Sequence, residues 1–240
     1  AVSPADEAQP LTVLVATSGD TGGAVAQAFH GVPGTRVVVL YPHGRVSRVQ
    51  EAQFTTLGGN VSALAVEGTF DDCQRLVKAA FADRALARAH RLTSANSINI
   101  GRLLPQMAYY AWAVAQLPSG TPPPTIVVPS GNLGNLTAGV MAMRRGVPIA
   151  GFVSATTVND PFPRYLQSGT FTPQEAVATL ASAMDVGHPS NLERLRWLFD
   201  GKVEAMREVI AGDVVTDAAL RDEMAATAAD EGYVADPHTA

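Results

Sequence analysis

Three short polar stretches hold the residues whose types and spacing could do chemistry. In "VPSGNLGNLTAG" the run Ser130-Gly131-Asn132-Leu133-Gly134-Asn135 separates a β-branched apolar segment from a helix-forming one. Glycine lets backbone amides approach an anion closely, and a helix start adds unpaired N–H groups and the positive end of its dipole, so a phosphate is the natural guest. No Gly-Lys-Ser/Thr follows, and the spacing is G-x-x-G rather than G-x-G-x-x-G, which disfavours ATP and dinucleotides. The competing reading is a plain βα turn that uses glycine and asparagine for positive φ.

"ATSGDTGG" has the same placement after an earlier apolar run. Thr17 and Ser18 supply hydroxyls, Asp20 can cap a helix or face a ligand, and Gly19, Gly22 and Gly23 admit close backbone approach. "TSANSINIGR" sets Ser94, Asn96, Ser97, Asn99 and Arg102 ahead of another helix, combining neutral hydrogen-bonding groups with a guanidinium that can hold a phosphate bidentately. Each stretch alone could be a capped polar turn. Their recurrence favours a ligand, because βα loops gather at the carboxyl edge of a parallel sheet, where ligands bind.

The elements that must place these loops alternate along the chain. "LTVLVAT" (11–17) is a β-branched run, and "SGDTGGAVAQAFHG" turns to helical composition closed by Gly31. "TRVVVLYP" (35–42) predicts a second strand, and "VSRVQEAQFTTLGG" a helix on Val46, Val49, Phe54 and Leu57 that stops at Gly58-Gly59. "NVSALAVEG" predicts a third strand, with Thr69 and Asp72 capping the helix "FDDCQRLVKAAFADRALARA". After "RLTSANSIN", the long apolar helix "IGRLLPQMAYYAWAVAQL" takes Pro105 near its first turn. Beyond the proline-rich "PSGTPPPT" come the strand "TIVVPS", the glycine loop, the helix "NLTAGVMAMRRG" and the strand "IAGFVSAT". Farther on, "NDPFPRYLQSGTFTPQEA" reads as turn, "AVATLASAM" and "SNLERLRWLF" as helices, and "DGKVEAMREVIAG" and "TDAALRDEMAATAADEGY" as two surface helices. The alternation predicts an α/β fold with parallel sheets and right-handed crossovers.

Composition narrows the partners. Across 240 residues, 47% apolar with formal net charge −5, no Lys/Arg block forms a stripe, so neither a nucleic-acid footprint nor a patch for anionic membranes is visible. No apolar run reaches the roughly 18 residues of a membrane span. Cys73 is the only cysteine, which excludes an internal disulfide or thiolate zinc cluster and fits the cytoplasm. The histidines lack metal-ligand spacing and no G-x-S-x-G elbow occurs, so neither a metal nor that hydrolase chemistry is expected. Cys73 reads as a small core residue, and Asp185 and His188 as part of a turn and cap.

Taken together, "TSGDTGGAVAQAF", "LYPHGRVS", "SANSINIGRLLPQMAYY", "VPSGNLGNLTAG" and "AMDVGHPSN" resemble, in order and spacing, the characteristic segments of the threonine synthases. These are pyridoxal-phosphate enzymes of the tryptophan-synthase-β-like, fold type II group. The likeness runs through nearly all of the chain. "SANSINIGR" joined to "PSGNLGN" is specific to threonine synthases, whereas the second loop alone would indicate only the wider group. The resemblance implies two parallel-sheet βα domains truncated at both ends: a tail over 1–10, a smaller α/β domain over 11–101, and part of the larger cofactor-binding domain over 102–240. It implies pyridoxal 5'-phosphate as cofactor and O-phospho-L-homoserine as substrate, converted with water to L-threonine and phosphate. Carried over residue by residue, Gly131, Asn132, Leu133, Gly134 and Asn135 would hold the cofactor phosphate through backbone and side-chain contacts. Asp20 would stand near the pyridoxal 3-hydroxyl, where the family often has asparagine. Thr17, Ser18, Asn96, Ser97 and Arg102 would bind substrate, with Arg102 on the departing phosphate.

One residue the family requires is absent. Its Schiff-base lysine lies in a Phe-Lys-Asp-like segment before the first loop and also shuttles protons. Lys78, on an acid-rich helix, and Lys202, after Asp200-Gly201, read as surface residues. The resemblance therefore places the lysine upstream of Ala1, and the part that contacts the pyridine nitrogen after Ala240, leaving no catalytic residue in this chain. The rival readings are another fold type II enzyme, such as a serine/threonine dehydratase or β-replacement enzyme with less need of Arg102, and a non-catalytic phosphate-ligand-binding homologue.

Overall fold

The computed structural model describes residues 9–96 and 99–240, and Asp20 by its backbone alone, so the expected roles of Ser97 and of the Asp20 side chain lie outside the described residues. The chain divides into two compact units, Ala1–Asn99 and Ile100–Ala240, each with its own parallel sheet.

In the first unit, β1 (Leu11–Ala16), β2 (Thr35–Pro42), β3 (Val61–Val66) and β4 (Leu92–Ser94) run in the order β3-β2-β1-β4. Alternate strand residues face opposite sides. Val13, Val15, Val37 and Val39 pack with Val25 and Ala26 of α1 (Asp20–Phe29) and Phe54 of α2 (Arg48–Thr55). Leu14, Ala16 and Leu40 pack with Cys73 and Val77 of α3 (Phe70–Ala82) on the other face. Cover on both faces is why β1 and β2 read as continuous apolar runs. The short, polar β4 has no such pattern and owes its place to pairing with β1. Val49, expected on an apolar helix face, is 72% exposed. The helix expected over 70–89 breaks at Asp83, whose carboxylate accepts the Ala85 and Leu86 N–H groups at 2.9 and 3.0 Å and so starts α4 (Arg84–Ala89).

The Thr69–Asp72 capping box forms as its spacing predicts. The Thr69 backbone N–H, then Arg75 and the Thr69 hydroxyl, hold the Asp72 carboxyl down to about 2 from an ordinary 3.8. A depressed carboxyl stabilises the fold above the unfolded-state value and ceases to as pH falls through the folded one, so this cap is lost between about pH 3.8 and 2. Thr69→Ala, which removes the hydroxyl and keeps the backbone N–H that lowers the carboxyl most, is expected to raise the Asp72 titration only part of the way toward 3.8, as followed by carboxyl NMR. An unmoved titration would remove the threonine from the account.

In the second unit, β5 (Thr125–Pro129), β6 (Gly151–Thr156) and β7 (Ile210–Val214) form a parallel sheet in that order. Leu136 of α6 (Gly134–Arg144), Phe162 of α7 (Pro161–Ser168), Leu195 of α8 (Leu192–Leu198) and Met206 of α9 (Val203–Arg207) enclose Phe152 and Ile210 in one core. The helix expected from Ile100 onward opens as a 3-10 turn, Ile100–Arg102, and becomes α-helical only in α5 (Met107–Ala115), because Pro105 has no N–H to continue the ladder. The stretch read as turn contains α7, started by Pro161 and ended by Gly169 in the left-handed conformation. Conversely, the helix expected over "AVATLASAM" reduces to a 3-10 turn, Ser182–Met184. The Asn159 side chain takes both the N–H and C=O of Val177, at 2.7 and 2.8 Å, leaving that segment extended. "DGKVEAMREVIAG" splits into α9 and β7, since Ile210 is buried against β6, while α10 (Asp217–Glu231) forms as expected behind its Thr216 cap.

Candidate active site

The glycine loop of the second unit follows β5 directly. The Ser130 N–H donates to Ala155 O at 2.7 Å, extending the sheet by one residue before the chain turns away. Leu133 then takes the left-handed conformation, φ 58° and ψ 15°, with its side chain 2% exposed. Such a conformation costs a bulky residue about 1–3 kcal/mol and persists only where surroundings over-determine it. Burial of the Leu133 side chain in the unit's core does so here. The turn delivers the chain into α6 with no capping side chain. Among the described residues, the amides of Gly131, Leu133, Gly134 and Asn135 have no hydrogen-bond partner. Successive free amides at a left-handed turn and a helix start form a concave site for an anion.

A second segment braces this loop. Ser190 donates both its N–H and its hydroxyl to Asn132 Oδ1, and Asn191 Nδ2 donates to Asn132 O at 2.9 Å. Asn191 is fully buried, and its own Oδ1 accepts from Arg194. A Cβ on Gly131 would lie 2.8 Å from Met184 Cα, so only glycine lets the 182–184 turn sit this close. That turn is pinned by Asp185, whose carboxylate accepts the Thr179 N–H at 2.9 Å, the Thr179 hydroxyl at 2.6 Å and Asn159 Nδ2 at 2.9 Å. Asp185, expected in a turn and cap, thus clamps the turn against which Gly131 packs. The sequence does not reveal Ser190 and Asn191 as a brace, because their partner Asn132 lies far away in the chain. Asn191→Ala removes the fully buried amide that donates to the Asn132 carbonyl and accepts from Arg194, and is expected to lower stability by about 1–3 kcal/mol in urea unfolding. An unchanged midpoint would show that the brace adds nothing.

The Asn135 side chain, expected on the ligand, turns inward. Its Oδ1 accepts from the Tyr110 hydroxyl at 2.6 Å and its Nδ2 donates to Gln106 Oε1 at 3.0 Å, leaving the backbone N–H for an anion. Half-buried Arg102 ends the 3-10 turn one helical turn before Gln106. At the carboxyl ends of β5 and β6, Pro129, Thr157, Met184, Leu220 and His238 border a cavity of about 170 Å³.

In the first unit, the loops after β1 and β4 sit at the carboxyl ends of paired strands. Asn96 holds them together, receiving the Ala16 N–H at 2.9 Å and donating to Ala16 O at 2.7 Å, so its amide imitates one more step of sheet pairing. Thr17 is likewise internal. Its hydroxyl accepts from the Gly19 and Gly22 amides at 2.9 and 2.8 Å and donates to Gly19 O, which fills its hydrogen-bonding capacity. The substrate-binding role expected of these two side chains thus gives way, in this conformation, to shaping the loops, while Ser18 is exposed. Lys78 and Lys202 are exposed as well, as the sequence predicts. Burial pushes the Cys73 thiol up to about 11, which keeps it protonated and unreactive. Among the described residues no group of side chains could hold a metal ion, and no helix is long and apolar enough to cross a membrane.

The family model described as "Pyridoxal-phosphate dependent enzyme" matches residues 1–240. The chain belongs to this family. It is 50% identical over 233 residues to the threonine synthase of Serratia marcescens, covering 97% of this chain and 54% of that protein. The crystal structure of threonine synthase from Escherichia coli superposes with a TM-score of 0.88 at 49% identity, over 96% of this chain and 54% of that one. A pyridoxal-phosphate-bound threonine synthase from Brucella melitensis superposes with a TM-score of 0.84 at 35% identity, over 96% and 55%. The chain thus spans about half the length of the relatives it matches. As expected for this family, its α/β sheets are parallel throughout.

Proposed function

We propose that the full-length pyridoxal-phosphate enzyme containing this chain is a threonine synthase, converting O-phospho-L-homoserine and water to L-threonine and phosphate. The observation that carries this is the uncapped start of α6, with its free amides on a left-handed turn, in a chain so similar to threonine synthases. These amides suit a phosphate monoester.

When bound, pyridoxal phosphate supplies an electron sink that acidifies C–H bonds beside the substrate amino group. The residues of this chain bind and orient. Gly131, Leu133, Gly134 and Asn135 hold the cofactor phosphate through their amides, with Asn132 fixed behind them. Arg102 holds the substrate phosphate and steadies the charge on that group as it leaves. Ser18, Asp20 and Ser97 contact substrate or cofactor, while Thr17 and Asn96 shape the loops that carry them. The lysine that tethers the cofactor comes from outside these residues, since Lys78 and Lys202 stand on the surface.

The test is phosphate release and threonine formation from O-phospho-L-homoserine by the full-length protein. Arg102→Ala is expected to raise KM for this substrate at least about tenfold, as loss of one partner of a charged pair does. A protein that binds pyridoxal phosphate, leaves O-phospho-L-homoserine intact and deaminates L-serine would overturn this reading in favour of a dehydratase.

A further inference from the structure

A polar relay inside the second unit joins the phosphate loop to the turn that carries Arg102. The Tyr110 hydroxyl donates to Asn135 Oδ1 at 2.6 Å, Asn135 Nδ2 donates to Gln106 Oε1 at 3.0 Å, and Gln106 Nε2 donates to Arg102 O at 2.7 Å. The Arg102 carbonyl can only accept, so it fixes the Gln106 amide with its NH2 toward Arg102 and its oxygen toward Asn135. That in turn points the Asn135 NH2 at Gln106 and its oxygen at Tyr110, which must donate. Tyr110 meets this demand: it is 5% exposed, its ring lies edge-on to Phe152 at 5.9 Å, and burial raises its phenol well above the ordinary range, so it keeps its proton. Every link therefore has one direction, set from the Arg102 end.

We infer that Gln106 is a positioning residue that couples the two phosphate sites of the proposed enzyme, holding the Arg102 turn in register with the start of α6. This rests on the threonine synthase reading for the identity of the second phosphate, but not for the relay itself. The relay occupies an asparagine and a glutamine that would otherwise be free to reach a ligand. It ties a 3-10 turn, whose backbone ladder is interrupted by Pro105, to the first turn of a helix whose core-facing side is fully packed. Without Gln106, the carbonyl of Arg102 loses its link to α6, and the guanidinium loses a fixed base.

The experiment uses the full-length holoenzyme with Gln106→Met, which keeps side-chain length without hydrogen bonds, Tyr110→Phe, and the double variant. Three quantities are read: KM and kcat for O-phospho-L-homoserine, Kd of the holoenzyme for inorganic phosphate, and Kd of the apoenzyme for pyridoxal phosphate. Gln106→Met is expected to raise KM and the inorganic phosphate Kd together by about three- to tenfold, the range for one lost hydrogen bond, with kcat within about twofold. Tyr110→Phe should weaken pyridoxal phosphate by a similar factor, and the double variant should fall short of the product of the two single effects, because the links form one chain. Gln106→Glu, which keeps the acceptor for Asn135 but cannot donate to Arg102, should keep the wild-type cofactor affinity and still raise the KM. Unchanged KM and phosphate Kd in Gln106→Met, or fully additive effects, would overturn the coupling. A wild-type enzyme inactive on O-phospho-L-homoserine would instead sink the functional reading, and the phosphate Kd would still decide the relay.

Discussion

Gly187→Ala is expected to cost the full-length protein about 3 kcal/mol, the upper end of the overpacking range. A Cβ at this position would lie 1.8 Å from Gln174 O and 2.8 Å from Gln174 C, both backbone atoms. The two strands of chain cannot slide apart cheaply, because the Gln174 N–H donates to Gly187 O at 3.1 Å and Asp185 anchors the same turn through Thr179 and Asn159. Moving this segment also draws Ser190 and Asn191 away from Asn132, so cofactor affinity should fall with stability. Urea unfolding and a pyridoxal-phosphate titration read the two effects. A midpoint equal to the wild type would mean that the close approach at Gly187 relaxes without penalty.

Gly131→Ala should separate the two properties instead. The new methyl group would meet Met184 Cα at 2.8 Å and Ala183 O at 3.1 Å, so either the loop or the 182–184 turn must give way. Both are at the rim of the sheet, and the buried core of Leu136, Phe152 and Leu195 need not move. The amides of Gly131, Leu133 and Gly134 lose their common focus, and pyridoxal phosphate binding is expected to weaken at least about tenfold, equivalent to about 1.4 kcal/mol. The thermal midpoint of the apoenzyme should change less than for Gly187→Ala. Equal cofactor affinity in this variant would rule out the loop as the phosphate site.

The sequence carried the local features plainly. Strands β1 and β2 are β-branched apolar runs whose type follows from cover on both faces, whereas β3 and β5 lie at sheet edges with Leu64 and Val127 exposed and were legible from their composition and flanking turns alone. The cap at Thr69 was readable because a cap needs only residues within one turn. The glycine loop was readable as an anion cradle for the same reason: Gly131, Gly134 and the helix start are neighbours in the chain.

Elements and side chains whose state depends on distant partners were not readable. β4 and β7 are strands because β1 and β6 offer them an edge, and "AVATLASAM" is not a helix because Asn159 and Asp185 claim its backbone groups. The polar residues Thr17, Asn96 and Asn135 announced chemistry by type, yet their hydrogen bonds go to Gly22, Ala16, Tyr110 and Gln106. By itself, then, the sequence determined the fold class, the family and the glycine loop that opens α6, because those follow from local pattern and motif. Only the tertiary structure decided which polar side chains build the site and which are left to serve it. A buried hydroxyl or amide goes to whichever partner satisfies it, and that partner is named by the fold and not by the neighbouring residues.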